Sequence, residues 1–241
     1  AAKGSSYLLN TGINFADRST QAKTSDWTVY QVMQTIMDEI YTAPSLASHS
    51  AILNGYKFGV SAHFPGSCPQ PLPGATHTVA INGSFPVTFG RITQQWTLPA
   101  RKPTGTYLSP GTIATVTVPA ALVNAGYKIR VGCHSWDLET RRTQVKRLDR
   151  ATTLYPITST TTSVASPYGG GIYIEVPYKA NAGVVNVTIN GAVRAPYFSL
   201  KSFHTTTPSE WLTERTHPAP WADFQTEKFM TQVPRKWVYN M

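Results

Sequence analysis

Near the N-terminus, hydrophobic residues recur at steps of three and four positions. Over SDWTVYQVMQTIMDEIY, residues 25–41, this spacing puts them on one side of a helix and predicts one amphipathic helix that stops at Pro44. Its start has two interpretations: at Ser25, or at Thr28 with Gln31 completing a capping box. Residues 1–24 are polar and unpatterned, which predicts an extended lead-in.

After residue 50 the hydrophobic period changes to two, the period of a β-strand with one buried face. Within GYKIRVGCH, Ile129 and Val131 are predicted to point inward, and Lys128 and Arg130 outward. The predicted strands lie in GYKFGVSAHF (55–64), THTVAING (76–83), TYLSPGTIATVTVP (106–119, two strands around a Pro-Gly turn), GYKIRVGCH (126–134) and GVVNVTINGAV (183–193).

Strands at about ten-residue spacing, with turn signals between them, are typical of a β-sandwich. A short helix capped by Ser209 and a last strand over 224–234 are predicted near the C-terminus. The predicted fold is therefore mainly β: a β-sandwich with one N-terminal amphipathic helix and a short C-terminal helix. We divide the chain into a lead-in with its helix, residues 1–50, and a β-sandwich-like part, residues 51–241.

The net charge of +9 raises the question of nucleic-acid binding. The one dense basic cluster is interrupted by Glu139 and Asp149, and no nucleic-acid-binding motif accompanies it, so we predict no nucleic-acid partner. No apolar run reaches about 18 residues, so we predict no membrane span. The cluster consists of Arg141, Arg142, Lys146, Arg147 and Arg150.

Two cysteines, Cys68 and Cys133, are too few for a four-cysteine zinc site, and neither lies in a CxxC motif. In an oxidising compartment they can form one disulfide. Two unrelated buried thiols explain the pair equally well, and the sequence leaves both interpretations open.

Local catalytic motifs are absent from the sequence, which contains no HExxH, GxSxG or Walker loop. His134 and Asp137 form the densest polar group, either facing a ligand from the end of a strand or tying a corner through a hydrogen bond. Trp221 follows a proline-rich segment and predicts a rigid packed corner, with sugar stacking as the alternative.

The segment SPYGGGIYIEVP, residues 166–177, places three glycines directly before an apolar strand. Glycine weakens a strand interior, so its presence needs a reason. One interpretation is a hairpin or bulge without a ligand. The other is that another backbone passes close to Gly169, Gly170 and Gly171.

Several segments, in order, resemble the enhancin-like zinc metallopeptidases, peptidase family M-60, which include viral enhancins and bacterial mucin-degrading enzymes. SPYGGGIYIEVP is similar to the family pattern SPFGGLIYIxVP, and the resemblance covers roughly residues 64–235. Cys133 and Gly171 depart from the family pattern, which has a small and an aliphatic residue there. The other matching segments are TGTYLSPGTIATVTVP (104–119), GYKIRVGCHSWDL (126–138), NVTINGAVRAPYFSL (186–200) and EWLTERTHPAPWADFQTEKFMTQVP (210–234).

The resemblance implies a metallopeptidase whose HExxH helix binds zinc and follows the segment that ends in QVP. That helix is missing from this sequence, so we expect the non-catalytic front part of the domain, inactive alone, with the catalytic half as its partner. Zinc would belong to the parent enzyme, with no ligands in this chain. The implied substrates are glycoproteins such as mucins, and the implied location is extracellular, periplasmic or at the cell surface.

The resemblance also implies a role for the glycines, because HExxH peptidases commonly hold substrate as an added strand. We predict that 170–176 is an edge strand and that Gly169, Gly170, Gly171 and Tyr173 line the substrate cleft. The alternative function is a non-enzymatic glycan-binding module with Trp96, Trp136 or Trp211 as its sugar platform. A third is a structural surface-assembly domain with an apolar interface and no cleft.

Overall fold

The computed structural model describes residues 13–14, 25–86, 98–135, 144–145 and 148–239 of the chain. The helices it describes are α1 (Ser25–Thr35), α2 (Ala43–Leu53), α3 (Pro208–Glu214) and α4 (Arg235–Val238). The strands are β1 (Ile13–Asn14), β2 (Thr76–Ser84), β3 (Ala100–Leu108), β4 (Ile113–Thr117), β5 (Lys128–Val131), β6 (Gln144–Val145), β7 (Thr153–Pro156), β8 (Thr161–Ala165), β9 (Gly170–Val176), β10 (Asn181–Asn190), β11 (Val193–Arg194), β12 (Tyr197–Lys201), β13 (His204–Thr205), β14 (Trp221–Thr226) and β15 (Met230–Pro234).

Two sheets pack face to face, which confirms the predicted β-sandwich. Sheet I has the order β2-β10-β4-β8, and sheet II the order β11-β3-β9-β5-β7. Ala114 and Val116 of β4 and Ile129 and Val131 of β5 meet in one buried core between the sheets. The alternation of apolar and polar residues in β4 and β10 arises because each strand buries one face.

The N-terminal helical region differs from the prediction. Helix α1 starts at Ser25 and runs into a π-helical turn, Ile36–Ile40. A second helix, α2, follows at once, with Thr42 as its N-cap and Pro44 in its first turn. Proline is favoured there because its missing N–H has no helical acceptor to lose. The predicted boundary at residue 50 falls within α2, whose Leu46 and Leu53 belong to the sandwich core.

The segment predicted as a strand over 55–64 is wrong, because it forms a loop with a 3-10 turn at Gly59–Ala62. Its Phe58 and Val60 are buried in a second hydrophobic cluster with Tyr168 and residues of α1. The short C-terminal helix is confirmed as α3. Thr207 caps it in place of Ser209, accepting a hydrogen bond from the Glu210 N–H while the Glu210 carboxylate accepts one from the Thr207 N–H.

A third sheet, with the order β13-β12-β14-β15, covers the face of sheet II that points away from the sandwich core. Strands β12 and β14 are parallel, and β14 and β15 form a hairpin where one strand was predicted. Polar groups are buried between sheets II and III. Arg130, predicted to point to solvent, is buried there and forms an ion pair with Glu175 of β9.

Candidate functional site

The glycine-rich segment lies in the interior of sheet II. Strand β9 pairs with β3 on one side and β5 on the other, so both of its backbone edges are occupied. All seven of its residues are buried. The prediction of an edge strand lined by Gly169, Gly170, Gly171 and Tyr173 was therefore wrong, because a strand with two neighbours has no free backbone groups for a substrate strand.

Packing explains why the three glycines are there. A Cβ atom on Gly169 would meet the carbonyl oxygen of Leu108, and Gly169 also has a φ of +66°. A Cβ atom on Gly170, whose φ is +145°, would lie 2.5 Å from the Cα of Gly132. A Cβ atom on Gly171 would lie 2.5 Å from the hydroxyl of Tyr173. Close approach was the correct interpretation, but the approaching groups belong to the chain itself.

Tyr173 points away from the sandwich core toward sheet III, where a buried carboxyl group receives its hydrogen bond. The Tyr173 hydroxyl donates to Asp223 Oδ1 over 3.0 Å, and Gln232 Nε2 lies within 3.3 Å of the same oxygen. Burial raises the pKa of Asp223 to about 7, although both hydrogen bonds oppose that shift. Tyr173 and Asp223 are fully buried, and their hydrogen bond joins sheet III to sheet II.

Two residues singled out in the sequence, His134 and Trp221, do come together. Their ring centroids are 4.7 Å apart, and the His134 ring also contacts Phe64 at 4.8 Å. The Trp221 indole N–H donates to the Pro65 carbonyl oxygen over 2.7 Å. Asp137, the predicted partner of His134, lies outside the described residues, as do Trp96 and Trp136. Trp211 packs on Phe198 and Phe224 instead of standing free.

Beside Trp221 lies an open cavity of about 600 Å³, here named the Trp221 cavity. Its walls combine proline rings, two aromatic side chains and two cationic ones. Arg235 donates to the His217 carbonyl oxygen over 3.4 Å and lies 5.1 Å from the Tyr239 ring. Carboxylates are absent from the described lining. The lining residues are Pro65, Ser67, Pro218, Pro220, Trp221, Pro234, Arg235, Lys236 and Tyr239.

A second cavity, of about 260 Å³, lies between the edge strand β2, helix α3 and the β12–β13 hairpin, and is here named the α3 cavity. His77, Arg194, Lys201 and Glu214 contribute its chemistry. Burial, followed by the charge of Arg194, lowers the pKa of His77 to about 4, so its imidazole is neutral at pH 7. His77 lies 117 positions before Arg194 in the sequence, so no local spacing could have revealed this group.

The implied zinc has no site in the described residues, which contain no group of three or more His, Cys, Asp or Glu side chains that could hold a metal ion. Cys68 and Cys133 are free thiols. Burial raises the pKa of Cys68 to about 11. In the part of the chain that the structure describes, no helix is long and apolar enough to cross a membrane.

Several curated proteins are similar in sequence to about half of the chain. The chain is 41% identical over 132 residues to TRPM8 channel-associated factor 3 of Mus musculus, a match that covers 54% of the chain and 14% of that protein. It is 36% identical over 135 residues to human TRPM8 channel-associated factor 2. The chain therefore spans a small fraction of the length of these relatives.

Among solved structures, the chain resembles the IMPa metallopeptidase from Pseudomonas aeruginosa with a TM-score of 0.53 and 14% identity. That match covers 78% of this chain and 20% of the metallopeptidase, and at this identity it supports the fold alone. Residues 76–190 match the family model for the N-terminal domain of M60-like peptidases, which confirms the resemblance seen in the sequence motifs. That match covers just under half of the chain and shows that residues 76–190 are similar to the N-terminal domain of M60-like peptidases.

Proposed function

We propose that this chain is the non-catalytic N-terminal part of a secreted zinc metallopeptidase that acts on glycoproteins such as mucins. Its contribution is to bind substrate glycans at the Trp221 cavity, and not to supply the edge strand of the cleft. The location is extracellular, periplasmic or at the cell surface, and the partner is the catalytic half, which supplies the zinc. The family match supports the peptidase context.

The observation that carries the glycan assignment is the composition of the Trp221 cavity. Trp221 and Tyr239 offer aromatic surfaces for the C–H faces of a sugar, while Arg235 and Lys236 offer hydrogen-bond donors for its oxygens. Trp221 is held in place by its hydrogen bond to the Pro65 carbonyl oxygen and its contact with His134. A fixed ring loses little conformational entropy when a ligand stacks on it.

Calorimetric titration of the chain with a mucin-type O-glycopeptide tests this proposal, with the unglycosylated peptide titrated in parallel. We expect binding of the glycopeptide only, with a Kd of about 0.1–1 mM. Tyr239→Ala should weaken binding at least about fivefold. Tyr178→Ala is the matched control, because Tyr178 is also exposed but lies outside the cavity. Equal binding of both peptides, or an unchanged Tyr239→Ala variant, would refute the glycan assignment.

The peptidase context is tested separately, in the full-length protein. We expect that protein to contain zinc by metal analysis and to cleave a mucin, and we expect a chelator to abolish cleavage. The isolated chain should not cleave it. Full-length protein that lacks both zinc and cleavage would overturn this part while leaving the glycan titration interpretable.

A second candidate function comes from the curated relatives, which are named for association with the TRPM8 channel. They are 36–41% identical to this chain over 132–135 residues. On this alternative the chain is a protein-association module without a glycan ligand. Retention of a TRPM8 channel by the immobilised chain, together with a negative glycopeptide titration, would favour it.

A further inference from the structure

The α3 cavity contains a buried cation that forms no ion pair with the described residues. Lys201 is only 3% exposed, and no carboxylate oxygen of the described residues lies within 4.0 Å of its ammonium. Its Nζ donates to the Tyr197 hydroxyl over 2.6 Å and lies 4.6 Å from the Phe203 ring centre. Burial disfavours the ammonium and lowers the pKa of Lys201 to about 8, so the charged form at pH 7 is stabilised by a negative ligand group.

The other charges around the cavity do not cancel that of Lys201. Arg194 and Glu214 form an ion pair with each other, with Nη2 and Oε1 2.5 Å apart. Glu210 is exposed and already accepts hydrogen bonds from the N–H and hydroxyl groups of Thr207 at the start of α3. His77 is neutral at pH 7, and the charges of Lys102 and Glu227 act on Lys201 in opposite directions, with the repulsion from Lys102 the larger effect.

Two of the residues that line this cavity each have a buried polar atom without a hydrogen-bond partner in the described part of the chain. Arg194 Nε and Glu214 Oε2 make no hydrogen bond among the described residues, although they belong to the same ion pair. Buried polar groups are nearly always satisfied, so this pair requires a partner that accepts at one atom and donates at the other. A carboxylate can accept from Arg194, but only a hydroxyl or similar donor can satisfy Glu214.

We propose that the α3 cavity binds a compact hydroxy acid, with Lys201 and Arg194 Nε holding its carboxylate and Glu214 Oε2 accepting from one of its hydroxyl groups. The volume of about 260 Å³ is below the usual range for drug-sized ligands and suits a single sugar acid. The Phe203 ring supplies an apolar wall. The same chemistry is offered by a free sugar acid and by an acidic sugar at the end of a glycan chain.

Calorimetric titration of the chain with D-glucuronate and N-acetylneuraminate tests the proposal, with D-glucose as the neutral control. We expect both acids to bind with a Kd at or below about 1 mM and glucose at least about tenfold more weakly. A sialylated glycopeptide and its desialylated form distinguish the two sources. If the ligand is an acidic sugar at the end of a glycan chain, only the sialylated glycopeptide should bind. If the ligand is a free sugar acid, neither glycopeptide should bind.

Lys201→Met retains the apolar stem of the side chain and removes the charge, so the variant should fold and lose at least about tenfold in affinity for both acids. Glu214→Gln should weaken binding less, because its amide still accepts through one oxygen. Lys228→Met, at an exposed lysine, and Tyr239→Ala, in the Trp221 cavity, are controls that should bind the acids normally.

Thermal melts confirm that each variant is folded. The proposal is overturned if neither acid binds the folded wild-type chain, if glucose binds as well as glucuronate, or if folded Lys201→Met keeps wild-type affinity. Because this cavity shares no lining residue with the Trp221 cavity, failure here leaves the glycan proposal standing, and the reverse also holds.

Discussion

The hydroxyl oxygen of Tyr173 lies 2.5 Å from the point where a Cβ atom on Gly171 would sit. The same hydroxyl donates to Asp223 and receives a hydrogen bond from Gln232, so it cannot move aside without breaking buried hydrogen bonds. Position 171 must therefore be glycine, because the side chain of Tyr173, two residues along the same strand, leaves no room for a Cβ atom. This contact, and not a ligand, accounts for the glycine at a position where relatives of this domain are expected to carry an aliphatic residue.

Gly171→Ala should destabilise the chain by about 1–3 kcal/mol, because the added methyl group overpacks a closed site. Its cost should fall in a Tyr173→Phe background, in which the clashing oxygen is gone. Urea denaturation of the two single variants and the double variant measures the coupling. A cost for Gly171→Ala that is unchanged by Tyr173→Phe would contradict the packing explanation.

Gly170→Val should not fold, because the new side chain would overlap the Gly132 backbone and Gly170 has a φ of +145°. On the substrate-cleft prediction, the same variant would fold and lose only activity. Circular dichroism of the purified variant distinguishes the two outcomes, with Gly183→Ala as a control at an unobstructed glycine of positive φ. A cooperative melt of Gly170→Val near the wild-type temperature would contradict the packing explanation for Gly170.

Asp223 should make the chain less stable as pH rises. Its pKa is about 7 when folded against about 3.9 when unfolded, so the folded state retains a proton that the unfolded state loses. Its contribution is therefore fully present below about pH 4 and declines by about 4 kcal/mol toward pH 7. Asp223→Asn should remove this decline and be the more stable form at pH 7.5.

The measurement is the difference in unfolding free energy between wild type and Asp223→Asn from pH 4 to pH 8. Glu39→Gln, at an exposed acid of the helical region, is the control for removal of a carboxylate elsewhere in the chain. A difference that does not depend on pH would show that Asp223 is ionised in the folded chain.

Arg130→Met should destabilise the chain by about 3–5 kcal/mol, because it leaves the buried Glu175 with only the longer 3.9 Å contact to Arg101. Arg150→Met breaks a partly exposed pair with Asp38 and should cost at most about 1 kcal/mol. Thermal and urea denaturation compare the two variants directly. Equal costs would mean that the Arg130–Glu175 pair is solvated in solution.

Both thiols should react slowly with iodoacetamide in the folded chain, since burial raises the pKa values of Cys68 and Cys133. Unfolding in urea should expose both, and mass spectrometry should then count two alkylated cysteines without any reductant. A single disulfide would instead block both sites until reduction.

The sandwich could be predicted because β4 and β10 alternate small apolar and polar residues, and each strand has one face toward solvent. The position of β9 was harder to predict, because Tyr173 and Glu175 suggest an exposed face. Both side chains are in fact buried under sheet III, so inferring exposure from their polarity gave the wrong position for β9. Helix α2 was missed because Pro44 was interpreted as a stop, although proline also begins helices.

The two cavities could be predicted only in part. Trp221 was identified from its proline-rich surroundings, and its contact with His134 depends on a long-range approach that no local spacing encodes. Lys201 and His77 are 124 positions apart in the sequence and meet only after sheet I, β12 and α3 have assembled. Their chemistry follows from burial, which the pattern of a short polar strand does not indicate.

Sheet III has a consequence for anyone who dissects this protein. The family match ends at residue 190, yet β12, β14 and β15 come later and shield Arg130, Glu175 and Tyr173 from water. A fragment that ends at residue 190 would lack sheet III and would expose these charged and phenolic groups to water. A fragment that extends through Pro234 retains all of sheet III. It is the shortest fragment that we expect to remain monomeric and to unfold cooperatively.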